Sequence, residues 1–248
     1  MLGALKRLWS GDRARARWGD IEDWAREHGH RFRRSRDDEG FVVEGAIAGR
    51  PWRLEWGPSQ RDYIVGHELR LRMELGLPQA MQLLVLSRPL MLALERETYE
   101  RYTDGTQTRI DTSTPEEMRW LAMHPQFAFP SGSVLRAHVG AVGSSRSALA
   151  AWLEGPLSEQ VVAAATGVLA YPTPFVLMTI RGRVSLRIGL PAIDSRAMAQ
   201  ALALFAVAAT RAVQVADTAA GAASTWPTST GAAVWRSAPG GDPTEPPR

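Results

Sequence analysis

The pattern of apolar and polar positions changes period early in the chain, and each change marks an element. Trp18, Ile21, Trp24, Ala25 and His28 recur at the three-and-four spacing of one helix face, and Gly29 is a natural stop. From Phe41 the period is two. Phe41, Val43, Gly45 and Ile47 alternate with Val42, Glu44 and Ala46, Gly49 turns the chain, and Trp52, Leu54 and Trp56 alternate with Arg53 and Glu55. This predicts a hairpin over 41–56. After Gly57-Pro58-Ser59 comes the longest alternation, with Tyr63, Val65, His67, Leu69, Leu71, Met73 and Leu75 on one face and Glu68, Arg70, Arg72 and Glu74 on the other. It predicts a strand over about 61–75 with one buried and one solvated face, the mark of an antiparallel sheet. On this reading His67 is held inside and Glu68 faces water.

The later pattern is more mixed. Met81 to Leu86 is a continuous apolar run, read as a strand buried on both faces. Ser87 is expected to cap a helix through about Tyr102, and Thr114-Pro115-Glu116-Glu117 has the form of a capping box for a helix ending before Pro125. Residues 125–133 read as a linker and Val134 to Val142 as a strand. Ser145 and Ser158 open alanine-rich helices separated by Gly155-Pro156. Phe175–Ile180 and Val184–Ile188 predict a second hairpin, at about 175–188, across Arg181-Gly182-Arg183, and Asp194 caps a helix to about Ala216.

The expected fold class is α+β: an antiparallel sheet built from both hairpins and the long strand, packed by helices, with a disordered tail. The expected organisation is a basic, tryptophan-containing helical arm at 1–36, a first lobe at 37–125, a second lobe at 126–217 (or one domain continuous with the first) and a tail at 218–248 rich in Ala, Gly, Ser, Thr and Pro.

Composition narrows the function. With 248 residues, 45% of them hydrophobic and 22% charged, the chain is globular in class and long enough for a sizeable core. It has no cysteine, which removes disulfides and thiolate metal sites, and a single lysine, Lys6, so arginine carries the positive charge. Residues 1–36 are net +5 and residues 37–248 net −2. With so few groups titrating between histidine and arginine, the high isoelectric point follows from a small excess of charge and does not argue for nucleic acid. The first residues lack the apolar run of a signal peptide. Residues 161–180 are broken by Pro172-Thr173-Pro174 and 197–210 are short for a bilayer, so both read as core. A cytoplasmic location is expected.

Common catalytic motifs are missing. There is no G-x-G-x-x-G, no H-E-x-x-H, no EF-hand loop and no G-x-S-x-G, and the lone Lys6 excludes a P-loop lysine. No cofactor, metal or catalytic residue is assigned, and an enzyme with an unfamiliar site ranks third among the functions considered. His28-Gly29-His30 is the nearest approach to a metal pair, but His28 fits the helix stripe and His30 a surface position. His67 and Glu68 point to opposite faces and cannot act together. His124 and His138 lack nearby partners. Gly140 to Gly143 could form an anion nest beside Ser144, Ser145 and Ser147, although helix capping accounts for those serines.

The expected function is therefore a non-catalytic protein-interaction or accessory module that binds another protein. The alternative is peripheral attachment to an anionic membrane through the arm, where Leu5 and Trp9 accompany positive charge. Arg31, Arg33 and Arg34 could meet phosphates, but Asp37, Asp38 and Glu39 offset them and no aromatic platform follows, so nucleic acid is disfavoured. Arg70 and Arg72 belong to a strand face that is either solvated or a docking surface, and Trp226 and Trp235 stand alone in the polar tail as candidate docking residues.

Overall fold

The computed structural model describes residues 18–36, 39–103 and 114–224. Its centre is a sheet of eight strands, every neighbouring pair antiparallel, in the order β1-β2-β3-β4-β8-β7-β5-β6. The strands are β1 (Arg31–Arg34), β2 (Phe41–Ile47), β3 (Arg50–Pro58), β4 (His67–Glu74), β5 (Leu83–Ser87), β6 (Val139–Gly143), β7 (Phe175–Ile180) and β8 (Arg183–Gly189). The helices are α1 (18–27), α2 (Arg88–Thr103), α3 (Glu116–Met123), the single turn α4 (Leu135–His138), α5 (Arg146–Leu153), α6 (Pro156–Ala164) and α7 (Ser195–Ser224). The α+β class with its antiparallel sheet is what the alternation predicts.

The chain lays down β1 to β4 as a meander, then crosses to β5, and the later β7–β8 hairpin fills the gap between β4 and β5. The crossing segment is tied to that hairpin's turn: the amides of Leu75 and Leu77 both donate to the carbonyl of Gly182, at 3.0 and 3.1 Å. Residues from both sides of position 125 therefore share one sheet.

Period-two alternation decides which face each side chain enters. Trp52, Leu54 and Trp56 of β3, Leu69 and Leu71 of β4, and Leu177 and Leu186 of β7 and β8 are buried under α1, α5, α6 and α7. Trp18 meets Phe41 and Trp56 edge-on, with ring centroids 5.7 and 6.1 Å apart. Trp152 of α5 donates its indole N–H to the carbonyl of Ala208 at 2.9 Å, fastening α5 to α7. The other face is covered only over β5, β6 and β7, where Leu84, Leu86, Val142 and Val176 pack against Leu90, Met91 and Leu94 of α2 and Met118 and Trp120 of α3. The opposite half of this face, across β1 to β4 and β8, has no helix over it among the described residues.

Several expected boundaries move. The third strand starts at His67, not near residue 61. Residues 59–66 form a loop in which Val65 is exposed and Ile64 is buried. Residues 31–34, expected within the helical arm at 1–36, are instead the edge strand β1. The expected strand at 134–142 is half helix, since Leu135–His138 turn before β6 begins. The expected linker 125–133 in fact contributes a bridge, Gln126 to Val142. Helix α6 starts at Pro156, with Gly155 at φ 69° before it, and Ser158 lies inside the helix. Gly140–Gly143 is strand, not an anion nest.

Two expected caps are absent and two are present. Ser87 ends β5, and its buried hydroxyl has no hydrogen-bond partner among the described residues. The Thr114–Glu117 box does not form either: α3 has no side-chain cap, and Glu117 is used elsewhere. Ser145 caps α5 by accepting from the Ala148 amide at 3.2 Å, and Asp194 accepts from the Ala197 amide at 2.7 Å. Helix α7 runs eight residues past its expected end, so 218–224 are helical; the rest of the expected tail, with Trp226 and Trp235, lies outside the described residues, as do Leu5 and Trp9. By length and composition alone, Ser195–Ala220 could cross a bilayer, contrary to the reading of 197–210 as too short. Its Met198, Leu204, Phe205 and Ala212 are nevertheless buried in the sheet core.

Candidate functional site

The uncovered half of the sheet carries the polar members of each alternation: Glu44 on β2, Arg53 and Glu55 on β3, Glu68, Arg70, Arg72 and Glu74 on β4, and Arg183, Ser185 and Arg187 on β8. Where this half meets the covered half, α3 and the 59–66 loop rise as walls. They leave a cavity of about 160 Å³ lined by the guanidiniums of Arg53, Arg61, Arg70, Arg72, Arg183 and Arg187. Glu55, Glu116 and Glu117 line it too, and Met178 and Ile180 of β7 give it an apolar side.

Two fully buried carboxylates hold the arginines in place. Glu68 Oε1 accepts from Arg187 Nη1 at 2.8 Å, Arg70 Nη1 at 3.0 Å and the Gln60 amide at 3.0 Å. Its other oxygen, Oε2, is buried with no hydrogen-bond partner among the described residues. The expectation that Glu68 faces water is thus overturned. Strand parity does send it to the polar face, but the 59–66 loop and two arginines displace the water there. Glu117 of α3 accepts from the Tyr63 hydroxyl at 2.9 Å and from Arg61 Nε at 3.4 Å, again through Oε1 alone. Burial first, and then the Glu117 charge beside it, pushes the Tyr63 phenol well above its ordinary range, so it stays a donor.

Glu55 is the third anchor. It accepts from Arg53 Nε and lies 3.4 Å from Arg70 and 3.7 Å from Arg72. Burial works to raise its carboxyl, but the Arg53 hydrogen bond and the charges of Arg53, Arg70 and Arg72 outweigh it, and the net shift is downward. Glu44 takes Arg53 Nη1 and Arg33 Nη2, each at 2.7 Å, extending the network to the sheet edge.

The structure separates the other candidate residues. Arg31 and Arg33 lie on the open face at the β1 edge, whereas Arg34 points to the opposite side and reaches Glu22 of α1 at 3.3 Å. Arg70 and Arg72 both line the cavity. His67 is half-buried and stacks on Trp56, with centroids 4.6 Å apart. His124 sits beside Trp120, and His138 borders a cavity of about 30 Å³ near Ser87, so the three histidines do not converge. His28 stacks on Trp24 and lies 6.2 Å from the His30 ring. Burial, and then the His28 charge, lower the His30 pKa. No cluster of three or more metal-ligating side chains exists among the described residues. Sequence reasoning missed Arg53, Arg61, Arg183 and Arg187. The polar parity of β3 and β8 was the available signal, but only the β4–β8 pairing reveals that these strands are adjacent.

No family model and no curated protein matches the sequence. Among solved structures the chain is similar to the crystal structure of the mycobacterial trehalose monomycolate transport factor A, TtfA. The TM-score is 0.43 at 8% identity, over 79% of this chain and 93% of that one. A likeness of that size says nothing about what this chain binds.

Proposed function

We propose that the protein is a cytoplasmic, non-catalytic accessory module that binds a partner protein of acidic character through the open face of its sheet. The observation that carries this reading is the charge imbalance of that face. Among the described ion pairs there and on its α3 wall, nine arginines (33, 53, 61, 70, 72, 119, 181, 183 and 187) are distributed over six glutamates (44, 55, 68, 74, 116 and 117). A rigid sheet with surplus guanidiniums is suited to steering and orienting an acidic surface.

The outer end of the face tests this at residues that do not line the cavity. Full-length protein used as bait is expected to retain a specific set of proteins that salt releases. The double variant Arg31→Glu, Arg33→Glu is expected to lose that set, with affinity for any purified member falling about tenfold or more. Unchanged retention by the double variant, or no specific retention by the native chain, would overturn the reading.

A further inference from the structure

We propose that the arginine-lined cavity at the β8–α3 boundary is a binding site for a phosphate monoester group on a small molecule. The cavity lies within the docking face and shares its arginines, but a phosphate bound there does not require a protein partner.

The arrangement of like charges is the first reason. In the β3–β4 register Arg53 stands directly opposite Arg72, and in the β4–β8 register Arg70 stands directly opposite Arg187. Like charges directly opposite on one sheet face destabilise the pairing, and here two such pairs lie side by side. Glu55 and Glu68 relieve part of the repulsion from below, but they do so unevenly. Arg53, Arg70 and Arg187 have carboxylate oxygens at hydrogen-bond distance. Arg72 and Arg183 have one described ion pair each, at 3.7 and 3.8 Å, beyond hydrogen-bond range. The Arg183 Nε is buried with no hydrogen-bond partner among the described residues. These two guanidiniums line the cavity with donor capacity to spare.

Charge and size then select the ligand. Six arginines line the cavity against three glutamates, while Glu44, Glu68 and Glu74 pair with Arg53, Arg70, Arg187 and Arg183 from outside the lining. A phosphate monoester carries roughly −1.5 to −2 at neutral pH and gains more from this arginine-rich lining than a single carboxylate does. The guanidiniums come from β3, β4, β8 and the 59–66 loop, so they approach from several directions. That suits the three terminal oxygens of a tetrahedral group better than the one edge of a planar carboxylate. A volume of about 160 Å³ accommodates the phosphate and a short stub of its substituent, which Met178 and Ile180 meet on the apolar side.

Calorimetric titration of the full chain at low ionic strength, with inorganic phosphate, glycerol 3-phosphate and glutarate as probes, tests the site. Both phosphates are expected to bind with one-to-one stoichiometry, the ester more tightly, and glutarate at least several-fold more weakly. Arg72→Ala and Arg183→Ala are each expected to weaken phosphate binding about tenfold, since each removes charge-assisted hydrogen bonds. Glu116→Gln, which removes a lining negative charge, is expected to tighten it several-fold, a change of sign that a purely structural role would not produce. Arg31→Glu alone, which leaves Arg33, Glu44 and Arg53 in place, should keep phosphate binding within about twofold while weakening partner capture, so the two losses are distinguishable. The proposal is wrong if the native chain shows no saturable phosphate binding, if Arg72→Ala and Arg183→Ala bind like the native chain, or if glutarate binds more tightly than either phosphate. Circular dichroism of each variant confirms that the native fold is retained.

Discussion

Glu68 shows how far a single position can be read from its neighbours. Alternation with Leu69 and Leu71 sends it to the polar face of β4, and that much is legible in the sequence. Its complete burial is not legible, because it depends on a loop folding back and on Arg187, whose strand lies 119 residues away in sequence. A buried carboxylate is tolerable only when its charge is matched, and here two guanidiniums and an amide converge on one oxygen. Glu68→Gln keeps the shape but leaves Arg70 and Arg187 facing a neutral group. It is expected to lower unfolding stability by about 3 kcal/mol. In urea denaturation the midpoint should fall with the slope unchanged. A loss within error would show that the arginines are satisfied without this carboxylate.

At the scale of elements, the periodic segments were legible, the caps only in part (Ser145 and Asp194) and the junctions not. Both hairpins fall where the sequence puts them: in β2, β3 and β8 burial of one face enforces alternation, whereas β7 is an apolar run buried on both faces. The Thr114–Glu117 box fails because Tyr63 and Arg61 compete for the same Glu117 carboxylate, and a buried hydrogen bond to a charged group outweighs an exposed cap. Close backbone approaches are likewise invisible in a linear pattern. A Cβ on Gly40 would lie 2.1 Å from the Trp56 carbonyl oxygen, a backbone atom that cannot rotate away, whereas a Cβ on Gly19 in α1 meets nothing within 4 Å. The two alanine substitutions should therefore have opposite signs. Gly40→Ala is expected to destabilise by roughly 1–3 kcal/mol as β2 and β3 are forced apart. Gly19→Ala is expected to be neutral or to stabilise by up to about 1 kcal/mol, since the helix gains a better former in open space. Thermal denaturation of the two variants side by side checks the pair, and destabilisation by both would mean that the helix start is more crowded than its surroundings indicate.

For the whole molecule, the decisive contact is the one that local reasoning cannot supply, the seven-residue pairing of β4 with β8. It converts two hairpins, each readable alone, into one sheet, and it places Arg183 and Arg187 beside Arg70 and Arg72 to make the cavity. Cooperativity should follow from the same pairing. Leu71 on β4 stands opposite Leu186 on β8, both fully buried in a core that α7 covers, so a defect at one is felt on both sides of the junction. Leu71→Ala is expected to cost about 2–5 kcal/mol, the range for a large-to-small change in a packed core. If the chain unfolds as one unit, native-state hydrogen exchange should show the most protected amides of β3 and β7 losing the same free energy, although β7 does not pair with Leu71's own strand. Loss of protection confined to β2, β3 and β4, with β7 unchanged, would instead establish that the sheet is shared in structure but divided in stability, with the junction at β8 opening independently.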